Sequence, residues 1–212
     1  VTAHPEYPAL AVKHLAEITG IDFKNSDDLI AATSDCGAYV ALSSAVKSLA
    51  VKLTKVCNDL RLLASGPRTG LSELILPQLQ PGSSIMPGKV NPVIPEVTNQ
   101  ACFLAIGLDT TVMLAASAGQ LELNVMEPVI TFALYMQMKV LTNACNHLRE
   151  KCIDGIVVNA EHCKDLVMGS LGIVTLLKPH FGYKPCANIA REGFLTGKSL
   201  HQLVVEEKGM LT

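Results

Sequence analysis

Apolar residues recur at alternating spacings of three and four along a long proline-free stretch of the chain, from Ser26 to Gly66. This heptad pattern is typical of a long helix that packs at a shallow angle against other long helices. We predict that Ser26 caps the start of this helix and that Ser65-Gly66-Pro67 ends it. The seam comprises Tyr39, Leu42, Val46, Leu49, Leu53, Val56, Leu60 and Leu63.

Two further long helices are predicted downstream. Pro95 opens the first, which continues to about Ala118 and ends at Gly119. Pro128 opens the second, which continues to about Cys152 and ends near Gly155. The apolar residues that repeat at helical spacing along the second are Val129, Phe132, Met136, Val140, Ala144 and Leu148.

The pattern shortens after Asn159, where several brief helices are predicted. Asn159 caps the first, a second follows Ser170, and a third runs from about Pro185 to Thr196. The segment that follows opens with a capping box and stops at a glycine. The residues that define these ends are Pro179 for the second helix and Ser199, Gln202 and Gly209 for the last.

The sequence therefore predicts an all-α fold with two domains. Residues 1–155 form part of a central bundle of long helices, and residues 156–212 form a small C-terminal helical domain. We find neither strand alternation nor an internal repeat that would favour another class.

Composition narrows the classes of partner. Apolar residues make up 49% of the chain and charged residues 17%, so much of the surface is expected to be buried between subunits. The net charge is −2 without a basic block, which disfavours nucleic acid and acidic membranes. No apolar run reaches the roughly 18 residues of a membrane span, and the first residues lack a signal-peptide pattern. We expect a cytoplasmic protein.

Neither cysteines nor histidines form a recognisable metal or disulfide pattern. The seven cysteines are scattered and odd in number, without a C-x-x-C pair, and are best interpreted as buried, reduced residues. The six histidines show no metal-ligand spacing. We therefore expect no metal cluster.

The irregular stretch "PGSSIMPGKVNP", residues 81–92, is the candidate for chemistry. Connections between helices usually take about 2 to 8 residues, whereas Gly66 to Pro92 is 27 residues long. Glycines and prolines fix a non-helical shape, while serine hydroxyls, backbone N–H groups and Lys89 suit a carboxylate or dianion. The alternative is an ordinary connection.

Phosphate-binding loops are disfavoured. Five residues separate Gly82 from Gly88 instead of four, valine follows Lys89, and no strand precedes the segment. "GFLTGKS", residues 193–199, fails by the same test. "SGPRTGLSE", residues 65–73, is interpreted as a helix stop with Arg68 near the helix C-terminus, and we assign it no chemistry.

"GSSIMPGKVNP", residues 82–92, resembles the signature loop of the fumarase/aspartase superfamily, homotetrameric lyases that release fumarate. The flanks "VKLTKVCNDLRLLASGPR", "PVIPEVTNQ" and "GQLELNVMEPVI" resemble its aspartate ammonia-lyase branch. Class II fumarases are the alternative, although they typically carry "NVFKP" where this chain has Asn124 to Pro128. The resemblance implies elimination of ammonia from L-aspartate without a cofactor, although a divalent cation activates some relatives.

The same resemblance implies roles for six residues. Ser83 would be the base that takes the proton, while Ser84 and the backbone around Met86 would line the carboxylate site. Lys89 and Asn91 would bind and polarise a substrate carboxylate. Glu96 would orient a histidine. This chemistry needs preorganised donors and cations, because an enediolate-like intermediate gains negative charge.

Family members build each site from three segments of three different subunits, and this chain contains only the third. We therefore expect an internal fragment of a subunit well over twice as long. The alternative of another class is that the 212-residue chain alone is a helical assembly module that catalyses nothing.

Overall fold

The computed structural model of the chain describes residues 2–210 and is mostly helical, which confirms the all-α prediction. Three helices of 25 to 27 residues dominate it. In chain order the elements are α1 (Tyr7–Thr19), a 3₁₀ turn (Ala31–Thr33), α2 (Gly37–Leu63), β1 (Leu74–Ile75), α3 (Val93–Ser117), α4 (Glu127–Lys151), a 3₁₀ turn (Ile153–Gly155), β2 (Val157–Val158), α5 (Ala160–Gly169), a 3₁₀ helix (Leu171–Leu177), α6 (Lys178–Phe181), α7 (Tyr183–Thr196) and a π-helical turn (Gln202–Glu207).

The chain divides into two compact units. The first comprises the residues up to 57 together with 96–148, and the second comprises 58–95 together with the residues from 149 onward. The predicted domain boundary near residue 155 stays a prediction. Residues 1, 211 and 212 of the two predicted domains lie outside the described part of the chain.

Small residues form much of the core of the first unit. Ala50 of α2 packs with Cys102 and Ala105 of α3 and with Leu141 of α4. Small side chains at these positions allow long helices to approach one another closely along their length. A second cluster joins α3 to α4 and comprises Cys36, Val112, Ala115, Ile130, Ala133 and Leu134.

The seam predicted for α2 is only half buried within this chain. Val46 and Leu53 pack against the core and Leu60 is buried, whereas Leu42 and Leu49 are more than 40% exposed. The most buried face instead lies one position further along, at Ser43, Ala50 and Cys57. A single heptad pattern cannot distinguish these faces, because each has apolar residues at spacings of three and four.

The predicted start of α2 at Ser26 is wrong, because the helix begins at Gly37. Asp35 Oδ1 accepts the backbone N–H of Gly37 at 2.8 Å, which satisfies a donor at the true start. Ser26 instead accepts the N–H of Asp28 at 3.3 Å, within a separate turn. The predicted ends near Ser65, Gly119 and Gly155 are confirmed to within a few residues. Helix α1 was not predicted.

A buried polar network links the three long helices. Ser43 Oγ of α2 donates to Asp109 Oδ1 of α3 at 2.7 Å, and Lys47 Nζ of α2 lies 2.5 Å from Asp109 Oδ2. Gln137 of α4 donates to Ser43 Oγ at 3.1 Å and to Ala105 O at 2.9 Å. Burial raises the pKa of Asp109, but the bonds from Lys47 and Ser43 outweigh it, so this pKa lies below its usual value.

The second unit has its own core, built from the C-terminal helices. Ser199 N donates to Gln202 Oε1 at 3.0 Å and Gln202 N donates to Ser199 Oγ at 3.2 Å, which confirms the predicted capping box. The buried residues of this core are Val174, Cys186, Ile189, Leu200, Leu203 and Val204.

The second unit contains one feature that was not predicted, and one prediction for it is wrong. A two-stranded antiparallel ribbon pairs Leu74 with Val158 and Ile75 with Val157, although the sequence shows no strand alternation. Pairs so short and so distant along the chain leave no periodic signal. Asn159 precedes α5, but its side chain does not cap the helix and donates to Ser72 O at 3.0 Å instead.

Helix α3 is long and apolar enough to cross a membrane, with an 18-residue window of mean hydropathy 1.4. One such helix is a weak indication, because a core helix passes the same test. Here the helix carries Asp109, whose charge is satisfied by Lys47 of α2.

We predict that Asp109→Asn lowers the free energy of unfolding by about 2 kcal/mol at pH 7. The substitution removes the charged acceptor that Ser43 and Lys47 share. Because the folded pKa of Asp109 lies below the unfolded value of about 4, its contribution is complete above that value and is lost as the pH falls through the folded pKa. Urea unfolding at several pH values between about 3 and 7 measures both effects.

The variant should therefore show a shallower loss of stability below about pH 4 than the original chain. Asp22→Asn is a matched control that should leave stability nearly unchanged, because Asp22 is an exposed carboxylate outside the helices. Equal stability of the Asp109 variant and the original chain at pH 7 would show that the network contributes nothing.

We predict that Thr98→Val raises the free energy of unfolding by about 1 kcal/mol, since it replaces an unpartnered hydroxyl with a methyl group. Thr98 Oγ1 is fully buried and has no hydrogen-bond partner among residues 2–210. In the control Thr54→Val, the lost hydroxyl donates to Ala50 O at 2.9 Å, so stability should fall. Urea unfolding measures the stability of both variants. A loss of stability in the Thr98 variant would show that its hydroxyl does have a hydrogen-bond partner.

Candidate functional site

The loop 81–92 is closed at its base by a backbone hydrogen bond. Gly82 N donates to Lys89 O at 2.9 Å. A Cβ atom at position 82 would lie 2.5 Å from Lys89 O, so only glycine permits this approach. Gly88, at φ +79°, adopts the left-handed conformation that brings the chain back. The two glycines thus produce the closed, non-helical shape.

Ser83 follows this closure directly, and its hydroxyl oxygen faces backbone donors. Ile85 N and Met86 N each donate to Ser83 Oγ at 3.1 Å. The side chain is partly buried. Two N–H groups directed at one oxygen favour negative charge there, because hydrogen bonds to a charged form stabilise it. The local geometry therefore suits an oxygen that gives up its proton.

A depression of about 390 Å³ lies beside the loop. Ser83, Met86 and Lys89 line it together, so the structure brings three of the six predicted site residues to one surface. Ser84 is exposed and is not among the lining residues. The remaining lining residues are Gln78, Leu79, Gln80, Pro81, Gly88 and Val90.

Lys89 supplies the positive charge of this surface. Its side chain is exposed, and within the described part of the chain it forms no ion pair. Lys89 also borders a second depression of about 350 Å³, which Asn91 lines as well. The ammonium group therefore has access to anions on either side of the loop.

Asn91 lies at the end of the loop, where it contacts the loop base. Its Nδ2 donates to Gly82 O at 2.9 Å. The side chain is partly buried, in contrast to the exposed tip at Ile85 and Met86. Asn91 is thus held next to Ser83 through Gly82.

Glu96 lies in the first turn of α3 and is partly buried. It belongs to the first compact unit, whereas the loop belongs to the second. Its predicted role in orienting a histidine stays a prediction.

The turn at residues 65–73, to which we assigned no chemistry, borders the second depression through Gly66, Pro67 and Ser72. His162 Nε2 lies 2.8 Å from Leu71 O. Asn159 N donates to Glu73 O at 3.0 Å. The start of α5 is therefore fastened to the turn.

Sequence reasoning missed the contribution of this turn and of α5. Asn159 and His162 contact residues that lie 87 and 91 positions earlier in the chain. No sequence pattern predicts hydrogen bonds between residues so far apart. In the sequence, the glycines are the one feature of this turn that could have indicated its tight shape. A Cβ at Gly70 would lie 2.4 Å from the carbonyl carbon of Ser65, so the turn is too tight for another residue.

Metal ligands do not cluster in the described part of the chain. Among residues 2–210 no group of three or more His, Cys, Asp or Glu side chains could hold a metal ion. All seven cysteines lie within this part of the chain and none forms a disulfide bond; five of them are buried.

Comparison with known proteins supports the resemblance of the loop. The model of the lyase family matches residues 1–107. Aspartate ammonia-lyase from Escherichia coli (strain K12) is 58% identical over 207 residues, which are 98% of this chain and 43% of that protein. The enzyme of the same name from Helicobacter pylori (strain ATCC 700392 / 26695) is 52% identical over 208 residues, which are 98% of this chain and 44% of that protein.

Two solved structures of lyases also resemble this chain in fold. Fumarate lyase:delta crystallin from Brucella melitensis, bound to cobalt, superimposes with a TM-score of 0.93 at 44% identity, over 98% of this chain and 45% of that one. Class II fumarase from Schistosoma mansoni gives a TM-score of 0.89 at 33% identity, over 98% of this chain and 46% of that one. The chain thus spans less than half the length of these relatives. It belongs to the lyase family of the fumarases and aspartases.

Proposed function

We propose that the protein to which this chain belongs is an aspartate ammonia-lyase, which converts L-aspartate reversibly to fumarate and ammonia. The observation that carries the proposal is the Ser83 hydroxyl, held by two backbone N–H groups beside Lys89. Identity of 52–58% to aspartate ammonia-lyases over nearly the whole chain supports the choice of substrate. Since the elimination involves no net oxidation or reduction, it needs no redox cofactor.

In the proposed reaction Ser83 Oγ, as its alkoxide, removes a proton from the carbon next to the β-carboxylate of aspartate. The electron pair of the broken C–H bond moves into that carboxylate, and an enediolate-like intermediate forms. When the intermediate collapses, the C–N bond breaks and the amino group leaves, so that fumarate remains. The N–H groups of Ile85 and Met86 stabilise the alkoxide before the reaction starts.

Lys89 is proposed to meet the negative charge that develops on the substrate carboxylate, and Asn91 to donate a hydrogen bond to it. Both residues border the second depression, and Lys89 also borders the first. Ser84 and the backbone around Met86 would complete the carboxylate site. When the exposed loop tip covers the substrate, it excludes water and strengthens these interactions.

The active form is proposed to be a homotetramer in which several subunits share each site and Glu96 orients a histidine from another segment. Supporting this, α2, α3 and α4 carry many large apolar side chains that are exposed in the first unit, as expected of surfaces that pack against other subunits. These faces contain Leu42, Leu49, Val56, Val97, Phe103, Leu104, Met113, Leu114, Val129, Phe132, Tyr135 and Met138. We also propose a cytoplasmic location, which suits seven cysteines without a disulfide bond among them.

A class II fumarase, which would hydrate fumarate to malate, is the second candidate, because the solved enzyme from Schistosoma mansoni shares the fold closely. Turnover of aspartate against malate distinguishes the two. For the isolated 212-residue chain the alternative is an inactive helical assembly module. Fumarate absorbance measured with this chain and with a polypeptide of the relatives' full length tests it, and turnover by the short chain alone would contradict a shared site.

We predict that Ser83→Ala, in a polypeptide of full length, lowers aspartate turnover by at least 10³-fold, since the base is removed. The absorbance of fumarate at saturating aspartate measures this. Ser117→Ala is the matched control, because it removes a hydroxyl at the exposed end of α3 and should leave turnover unchanged. If activity survives within about tenfold, a barrier difference of about 1.4 kcal/mol, Ser83 is not the base.

We predict that Phe132→Asp converts the tetramer to smaller species. Phe132 is 58% exposed on α4, and a charge buried in an apolar interface is costly. Sedimentation analysis of the full-length protein measures the mass. Asn25→Asp adds the same charge at an exposed polar position and should leave the tetramer intact. A Phe132 variant that keeps the original mass would exclude this face from the interface.

A further inference from the structure

Gly82 is held on both sides by hydrogen bonds. Its N–H donates to Lys89 O at 2.9 Å, and its carbonyl accepts Asn91 Nδ2 at 2.9 Å. Since glycine has no side chain to pack, these two hydrogen bonds of its backbone are the polar contacts that hold it in place. The Asn91 side chain therefore supplies one of the two bonds that hold the residue before Ser83.

Packing contributes little to holding this loop. Ile85 at its tip is 86% exposed and Met86 is 51% exposed. Segments with few buried apolar contacts open at low free-energy cost unless hydrogen bonds restrain them. The base, where Asn91 and Gly82 are both partly buried, is thus where the restraint lies.

We propose that Asn91 is a positioning residue, which latches the loop base through Gly82 and so sets the position of the Ser83 hydroxyl. This rests on the proposed function only in that Ser83 is taken as the base. The latch acts before substrate binds and is separate from the hydrogen bond that Asn91 is proposed to give the substrate. An asparagine amide has two N–H hydrogens, so one can serve Gly82 O while the other serves a carboxylate.

Aspartate and alanine cannot replace this contact. An ionised aspartate at position 91 has no hydrogen to donate and would place negative charge against the Gly82 carbonyl. Alanine leaves the carbonyl without its side-chain donor. Ser83 and Gly82 have adjacent Cα atoms about 3.8 Å apart, so a shift of the glycine is transmitted directly to the serine. A displacement of about 1 Å in a reacting group can lower a rate by about 10²-fold.

Hydrogen exchange of the 212-residue chain without substrate tests the latch. Mass spectrometry of the peptide covering residues 79–90 follows the amides of Gly82, Ile85, Met86 and Lys89, which are hydrogen-bonded. We expect Asn91→Ala and Asn91→Asp to exchange these amides at least tenfold faster at pH 7. Lys89→Gln is the control. It removes the ammonium group that is proposed to bind substrate, but the backbone carbonyl of residue 89 still accepts the Gly82 N–H. Exchange of these amides should therefore stay within twofold of the original chain.

Kinetics of the full-length protein supply the second measurement. The latch predicts that Asn91→Ala lowers kcat by about 10²-fold as well as weakening substrate binding. A raised KM with unchanged kcat, together with unchanged exchange, would overturn the proposal, since Asn91 would then act only on substrate. Circular dichroism shows whether the Asn91→Ala variant folds. If it does not, the same measurements are made on Asn91→Asp, whose side chain has nearly the same size as asparagine.

The two proposals fail differently. If the unmodified full-length protein does not convert aspartate, the proposed function is wrong, whereas the exchange experiment still shows whether Asn91 holds the loop. If aspartate is converted but exchange in both Asn91 variants matches that of the original chain, the latch is wrong and the function stands.

Discussion

A single buried carboxylate, Asp109, is the polar contact that aligns α2 with α3 in the first unit. Asp109 of α3 is 7% exposed and takes its donors from Ser43 and Lys47, one turn apart on α2. The neighbouring contacts are made by small residues such as Ala50 and Ala105, which would permit the helices to slide. Displacement by one turn would leave only one of these two donors beside the buried carboxylate, at a cost of about 1 to 3 kcal/mol. Alignment in turn decides which apolar faces point outward, and these are the faces proposed to assemble.

In the loop 81–92, as in the helices, a few polar contacts determine the geometry, but here most of them are made by backbone groups. Helical periodicity cannot define a segment of two glycines and three prolines, so its shape depends on a few polar contacts at the base. Gly82 and Lys89 close the ring, and the same closure places the hydroxyl of Ser83 before two N–H donors. Irregular shape and chemical activation are consequences of one arrangement. The interior of a regular helix could not provide it, because the N–H groups there are bound to carbonyls of the same helix.

The sequence predicted the elements that local chemistry determines and missed those that depend on distant residues. Prolines and glycines located α3 and α4 to within a few residues, because both residue types act within a single turn. The start of α2 was misplaced, since serine and aspartate both cap helices and both occur there. The ribbon of Leu74 with Val158 was invisible, as its strands are two residues long and far apart. Half of the heptad seam of α2 is exposed, because its apolar residues belong to two faces of the helix: one packs against the core of this chain, and the other points outward.

For the site, residue types could be predicted but the contacts among them could not. The motif identified Ser83, Lys89 and Asn91, and the structure brings them to one loop whose surfaces they share. That Asn91 contacts Gly82 could not be inferred, because a spacing of nine residues in a loop fixes no geometry. The contact also gives a physical reason for an amide at this position that substrate binding alone does not supply. A second cation would bind a carboxylate more strongly, but the asparagine amide carries two N–H hydrogens, so one can donate to the Gly82 carbonyl while the other remains available to an anion.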